Sequence, residues 1–108
     1  MKFFKRFVDR FVERNYAADK FHTFQGDDLQ VWVTDLNTHL VSAEVHRKGK
    51  LTMYLRLGTS VRVQYGNSYI DGKVGSIFRT GIEVIFYNDK GERTWELFPW
   101  HTIRQILR

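Results

Sequence analysis

From Gly58 to Leu107 the chain is cut by turn-forming residues into short runs of alternating apolar and polar side chains, and few folds accept that pattern. Val61 and Val63 alternate with Arg62 and Gln64 and lead to Tyr65, ahead of the polar turn Gly66-Asn67-Ser68. A second run, Tyr69 to Phe78, stops before Thr80-Gly81. A third, Ile82 to Tyr87, stops at Asn88-Asp89-Lys90-Gly91. Thr94 to Phe98 follows, and Pro99 opens a short closing turn that ends in Ile103 and Ile106. Alternation sends successive side chains to opposite faces of a strand. Gly, Asn and Asp at the breaks supply the backbone angles that tight hairpins demand. Short strands at this spacing predict a sandwich or a small barrel. Its predicted core is Val61, Val63, Val74, Ile77, Val84, Phe86 and Ile103.

The segment before it has the same period. Leu29, Val31 and Val33 face one way and Gln30, Trp32 and Thr34 the other, up to a turn at Asp35-Leu36-Asn37. Leu40–His46 and Leu51–Leu57 form a predicted hairpin around the basic tip Arg47-Lys48-Gly49-Lys50. The period changes at the N-terminus. Phe3, Phe7 and Phe11 recur every four residues, with Phe4, Val8 and Val12 beside them, which predicts an amphipathic helix. The chain is therefore read as one domain over 1–108, with a helix over 1–20, an extra β segment over 29–57 and a barrel over 58–108.

Composition limits the chemistry. There are no cysteines, so disulfides, thiolate catalysis and cysteine-ligated zinc are excluded. His22, His39, His46 and His101 lack metal-ligand spacing, and no nucleophile or phosphate-loop motif is present. No enzyme, no metal and no cofactor are expected. No apolar run approaches the roughly 20 residues of a membrane span, so a cytoplasmic protein, or a nuclear one in a eukaryote, is expected. The net charge of +5, from 17 basic and 12 acidic residues, favours polyanions as partners, nucleic acid first.

The 58–107 pattern resembles the Tudor family of SH3-like barrels. The resemblance rests on Gly58, Tyr65, Val74-Gly75-Ser76-Ile77, Val84-Ile85-Phe86 with Asp89 and Gly91, and the close Pro99-Trp100-His101-Thr102-Ile103. It implies a mainly β fold: a Tudor-like, SH3-like barrel with an additional β-hairpin segment and an N-terminal amphipathic helix. It also implies a binding module. Members that read methylated side chains use an aromatic cage, which holds a cation against ring π-faces. Tyr65 and Phe86 fall at two cage-like positions. The second cage position reads Ile70 with Tyr69 beside it, and the turn aromatic is replaced by Asp89 or Lys90, so the cage is incomplete here.

Basic residues interleaved with tyrosines make the leading candidate site. Arg47, Lys48 and Lys50 decorate the hairpin tip, Arg62 and Lys73 occupy outward strand positions, and Arg79 sits at a turn, with Tyr65 and Tyr69 between them. Phosphate contacts and base stacking on exposed rings would bind nucleic acid at such a surface. The rival expectation is a protein-interaction or inhibitory module, with a methylated-peptide reader as the third. Phe3, Phe7 and Phe11 are the candidate contact with the rest of the fold, with a larger protein or with a second copy of the chain.

Overall fold

Tight turns fix where each strand stops. The computed structural model describes residues 19–26 and 28–108. Nine strands follow in chain order: β1 (Asp19–Gln25), β2 (Leu29–Leu36), β3 (His39–Arg47), β4 (Lys50–Arg56), β5 (Ser60–Tyr65), β6 (Ser68–Ile77), β7 (Gly81–Tyr87), β8 (Arg93–Pro99) and β9 (Ile103–Ile106). A 3-10 turn, Trp100–Thr102, precedes the last. Asn37 and Thr38 link β2 to β3 with φ of 53° and 66°, and Lys48 and Gly49 link β3 to β4 with 53° and 79°. Two consecutive positive φ values match the strand twist in a two-residue hairpin. Between β7 and β8, the Asn88 side chain accepts hydrogen bonds from the backbone amides of Lys90 (2.9 Å) and Glu92 (3.0 Å). That contact holds the longer 88–92 turn in shape.

All pairings are antiparallel, and the strands form two sheets. The first has the order β1-β2-β3-β4; the second has the order β8-β7-β6-β5-β9. Period-two alternation decides what each sheet buries. Val31, Val33, Ala43, Val45, Met53 and Leu55 of the first sheet join Val61, Val63, Val74, Ile77, Ile82, Val84, Phe86, Phe98, Trp100 and Ile103 in one apolar core. All seven residues predicted for the core are buried. Each such side chain contributes about 1.5–3 kcal/mol relative to exposure.

Two features differ from the sequence reading. The second sheet is not a closed barrel: β8 and β9 lie at its opposite edges and do not pair. The apolar face that closure would cover is covered instead by the first sheet, which packs on it through β3 against β6 and β4 against β9. The extra segment is also longer than expected, with four strands from Asp19 instead of two or three strands over 29–57. Asp19 and Lys20 were expected to finish the helix, but they begin β1, paired with Asp35 and Thr34. The rest of the expected helix, with Phe3, Phe7 and Phe11, lies outside the described residues. Among the described residues no helix is long and apolar enough to cross a membrane.

Four hydrogen bonds fix the corners of the fold. The Gly58 amide donates to the Val74 carbonyl (2.8 Å) and the Val74 amide to Thr59 (2.9 Å), seating the β4–β5 corner on β6. Arg47 Nη2 donates to the Ile103 carbonyl at 3.1 Å. The buried Trp100 indole donates to the Arg79 carbonyl at 2.8 Å, so its one polar atom is satisfied.

Gly81 is required by proximity. A Cβ there would lie 2.1 Å from the Phe98 carbonyl oxygen and 2.9 Å from Pro99 Cα, both backbone atoms of the paired strand. Gly81→Ala is expected to destabilise the fold by about 1–3 kcal/mol, the usual range for overpacking. Urea denaturation would measure this, and an unchanged midpoint would contradict the close approach.

Candidate functional site

The eight candidate residues for nucleic acid do not form one surface. Arg62 points outward from β5 and is already engaged: its Nε and Nη2 donate to the two carboxylate oxygens of Asp71, at 2.7 and 3.0 Å. That bidentate contact holds the Asp71 carboxyl below its ordinary range and raises the Arg62 guanidinium further. Lys73 lies on the same side of β6, opposite Ser60. Arg79 stands apart in a hollow of about 560 Å³ with Asp35, His39 and Phe78. Tyr65 and Tyr69 belong to a third place. Only Arg47, Lys48 and Lys50 stay together, at the β3–β4 turn.

That turn gains two partners which the sequence reading missed. The seam between β4 and β9 holds two hollows of about 460 and 430 Å³ that share Thr52, Met53, Ile106 and Arg108. Arg47 and Arg104 line one, and Leu51 and Tyr54 line the other. Both strands are sheet edges and are not paired with each other, so the seam remains an open furrow. Arg47 is fixed there by the Ile103 carbonyl, and Arg104 donates to the Gln64 side-chain oxygen. The ion pairs among the described residues are Lys20–Glu44, His46–Glu44 and Arg62–Asp71, so none involves Arg47, Lys48, Lys50, Arg104 or Arg108. Cations brought together outside such ion pairs raise the local positive potential. At the turn, the Asp28 carbonyl accepts from the Lys48 amide (2.9 Å). Arg104 and Arg108 could not be assigned from sequence. They become neighbours of Arg47 only through the pairing of β9 with β5.

The tyrosines face a different chemistry. Tyr65, Tyr69, Phe86 and Tyr87 line a cleft of about 510 Å³ together with Asp89 and Glu96, between the β5–β6 and β7–β8 turns. The tyrosines are expected among basic residues, whereas the cleft holds two acidic ones. Phe86 lies mostly in the core beneath it, and Phe98 supports Tyr65 edge-to-face with ring centroids 6.0 Å apart. Tyr65 donates its hydroxyl to Glu96 Oε2 at 3.0 Å. Aromatic faces beside carboxylates suit a cation.

Elsewhere the polar groups are structural. Glu44 accepts from Lys20 (2.7 Å) and lies 3.3 Å from His46, and the Lys20 contact above all keeps its carboxyl below the ordinary range. No group of three or more metal-ligating side chains occurs among the described residues. Comparison with protein-family models, curated proteins and solved structures finds no match to this chain.

The Glu96 contact makes a pH prediction. Its hydrogen bond, and then its negative charge, hold the Tyr65 phenol above the usual tyrosine range. A raised folded-state value favours the protonated form. The stabilisation it gives is complete below about pH 10 and is lost as pH rises through the elevated Tyr65 value. In an alkaline NMR titration, the Tyr65 ring should titrate at lower pH in Glu96→Gln than in the native chain. Equal midpoints would show that the hydrogen bond does not form in solution.

Proposed function

We propose that the protein is a small non-enzymatic module that binds nucleic acid along the β4–β9 seam. The observation that carries this reading is the convergence of Arg47, Arg104 and Arg108 from two different sheets. Lys48 and Lys50 extend the cationic surface at the adjoining turn, and the net charge of +5 favours approach of a polyanion. The scaffold fits a binding role. A five-stranded antiparallel meander, whose last strand follows a 3-10 turn and returns to pair with the first, supports an SH3-like, Tudor-like reading of 58–108. A cytoplasmic or nuclear site of action accords with such a ligand. Of the original basic candidates, Arg62, Lys73 and Arg79 stay outside the proposed contact.

The test is salt-dependent binding of a fluorescein-labelled oligonucleotide, read by polarisation. Arg104→Ala and Arg108→Ala should each weaken binding, and each should flatten the slope of log K against log salt by about 0.7–0.9. Slopes unchanged in both variants would reject the seam as the phosphate site.

The cleft supports a second reading, a protein-interaction module that takes a cationic side chain of a partner peptide. The observation in its favour is that Tyr65, Tyr69 and Tyr87 stand with Glu96 and Asp89 and not with basic residues. In this reading a lysine or arginine, methylated or not, meets the rings and carboxylates. Peptides carrying lysine or trimethyllysine, titrated against the labelled protein, should shift the Tyr65 and Tyr69 ring signals. Glu96→Gln and Tyr69→Ala should reduce their affinity, and absence of shifts at millimolar peptide would discard this reading. Such a contact would be less sensitive to salt than phosphate binding if the apolar ring faces dominate it.

A further inference from the structure

We infer that the seam takes a single-stranded polynucleotide in preference to a duplex, with a base stacked on Tyr54. The inference rests on the nucleic-acid reading above and adds the form of the ligand. The furrow is not basic along its whole length. Arg47, Arg104 and Arg108 line one hollow; beyond Arg108 the furrow continues into the other, where Tyr54 and Leu51 stand about half exposed. Tyr54 makes no ring contact with another aromatic among the described residues, and its outward position on β4 faces Glu44, whose carboxylate is engaged by Lys20. A ligand that satisfied only the arginines would leave this apolar end uncovered.

The chemistry selects among polyanions. A duplex presents phosphates outward and keeps base faces stacked inside, so it could meet the arginines but not the tyrosine ring. An unpaired strand carries both groups in alternation. Its phosphates can lie against Arg47, Arg104 and Arg108 while an adjacent base stacks on Tyr54, an arrangement tolerant of sequence because every base has a π-face. The furrow walls add directional donors. β4 and β9 are edge strands, so each presents backbone amides outside its ladder toward solvent. The floor is Met53 and Ile106, apolar groups that cannot compete for phosphate.

The experiment compares a labelled twelve-nucleotide oligothymidylate with a duplex of equal length at low salt, using the full chain. The single strand should bind at least five-fold more tightly. Tyr54→Ala should cost it about five- to a hundred-fold, the effect expected for loss of one stacked base, and leave duplex affinity unchanged. Tyr54→Trp should retain single-strand affinity, and an abasic strand of the same length should bind the native chain as weakly as oligothymidylate binds Tyr54→Ala. Equal affinity for the two forms, or an unaltered single-strand affinity in Tyr54→Ala, overturns the inference while leaving phosphate binding at the seam intact. Absence of binding by either probe overturns the nucleic-acid reading and this inference with it.

Discussion

Neither sheet of this protein can bury its own apolar face, and the architecture follows from that. The first sheet carries Val31, Val33, Val45 and Leu55 on one side; the second carries Val61, Val63, Ile82, Val84 and Ile103 on one side. Both sets belong to one apolar core. A barrel that closed on itself would solve the problem for the second sheet alone and leave the first exposed. Packing the two together solves both, and it leaves the edges of each sheet open. Trp100 and the Arg47–Ile103 contact fasten the arrangement where the chain crosses from one edge of the second sheet to the other.

Open edges have a consequence for chemistry. Where β4 and β9 run side by side without pairing, the surface keeps a furrow, which Arg47 reaches from the end of β3 and Arg104 and Arg108 from β9 and the residues after it. At another place on the second sheet, the β5–β6 and β7–β8 turns bring tyrosine rings against Glu96 and Asp89. The two places thus differ in lining: arginines at the seam between sheets, and two carboxylates among aromatic rings in the cleft. The outer face of β5 and β6 is closer to neutral, because Arg62 and Asp71 cancel each other. A surface pair of this kind contributes little stability, yet it removes one cation from any phosphate contact.

The two sites need different kinds of support. The tyrosine cleft is anchored from below, with Phe98 packing on both Tyr65 and Phe86. Its walls are therefore set by the same core that holds the strands. The seam relies on position: its arginines project from an edge strand, a turn and the residues after β9, with Arg47 held by the Ile103 carbonyl and Arg104 by the Gln64 side chain. That difference suits a shaped pocket at one place and a tolerant electrostatic contact at the other.

The periodicity of the chain determined most of the strands. Alternation at Val61 and Val63, at Ile82 and Val84 and at Val31 and Val33 identified the buried faces, because a strand exposes every second side chain to the same environment. Turn residues located the breaks at Asn37, Gly49, Gly66 and Asn88, where backbone angles restrict the choice of residue. What the pattern left open was which strands would be neighbours. Asp19 to Gln25 has no strong alternation, and its place beside β2 is made by pairing rather than by local preference. Closure of the barrel was likewise not a local property, since it depended on whether another sheet would cover the same apolar face. The sites show this most clearly. Arg47 and Arg108 are far apart in the chain, as are Tyr65 and Glu96, and a linear sequence carries no record of distance between residues whose strands have yet to be assembled. Tertiary packing alone put the arginines together at the seam and set carboxylates among the tyrosines.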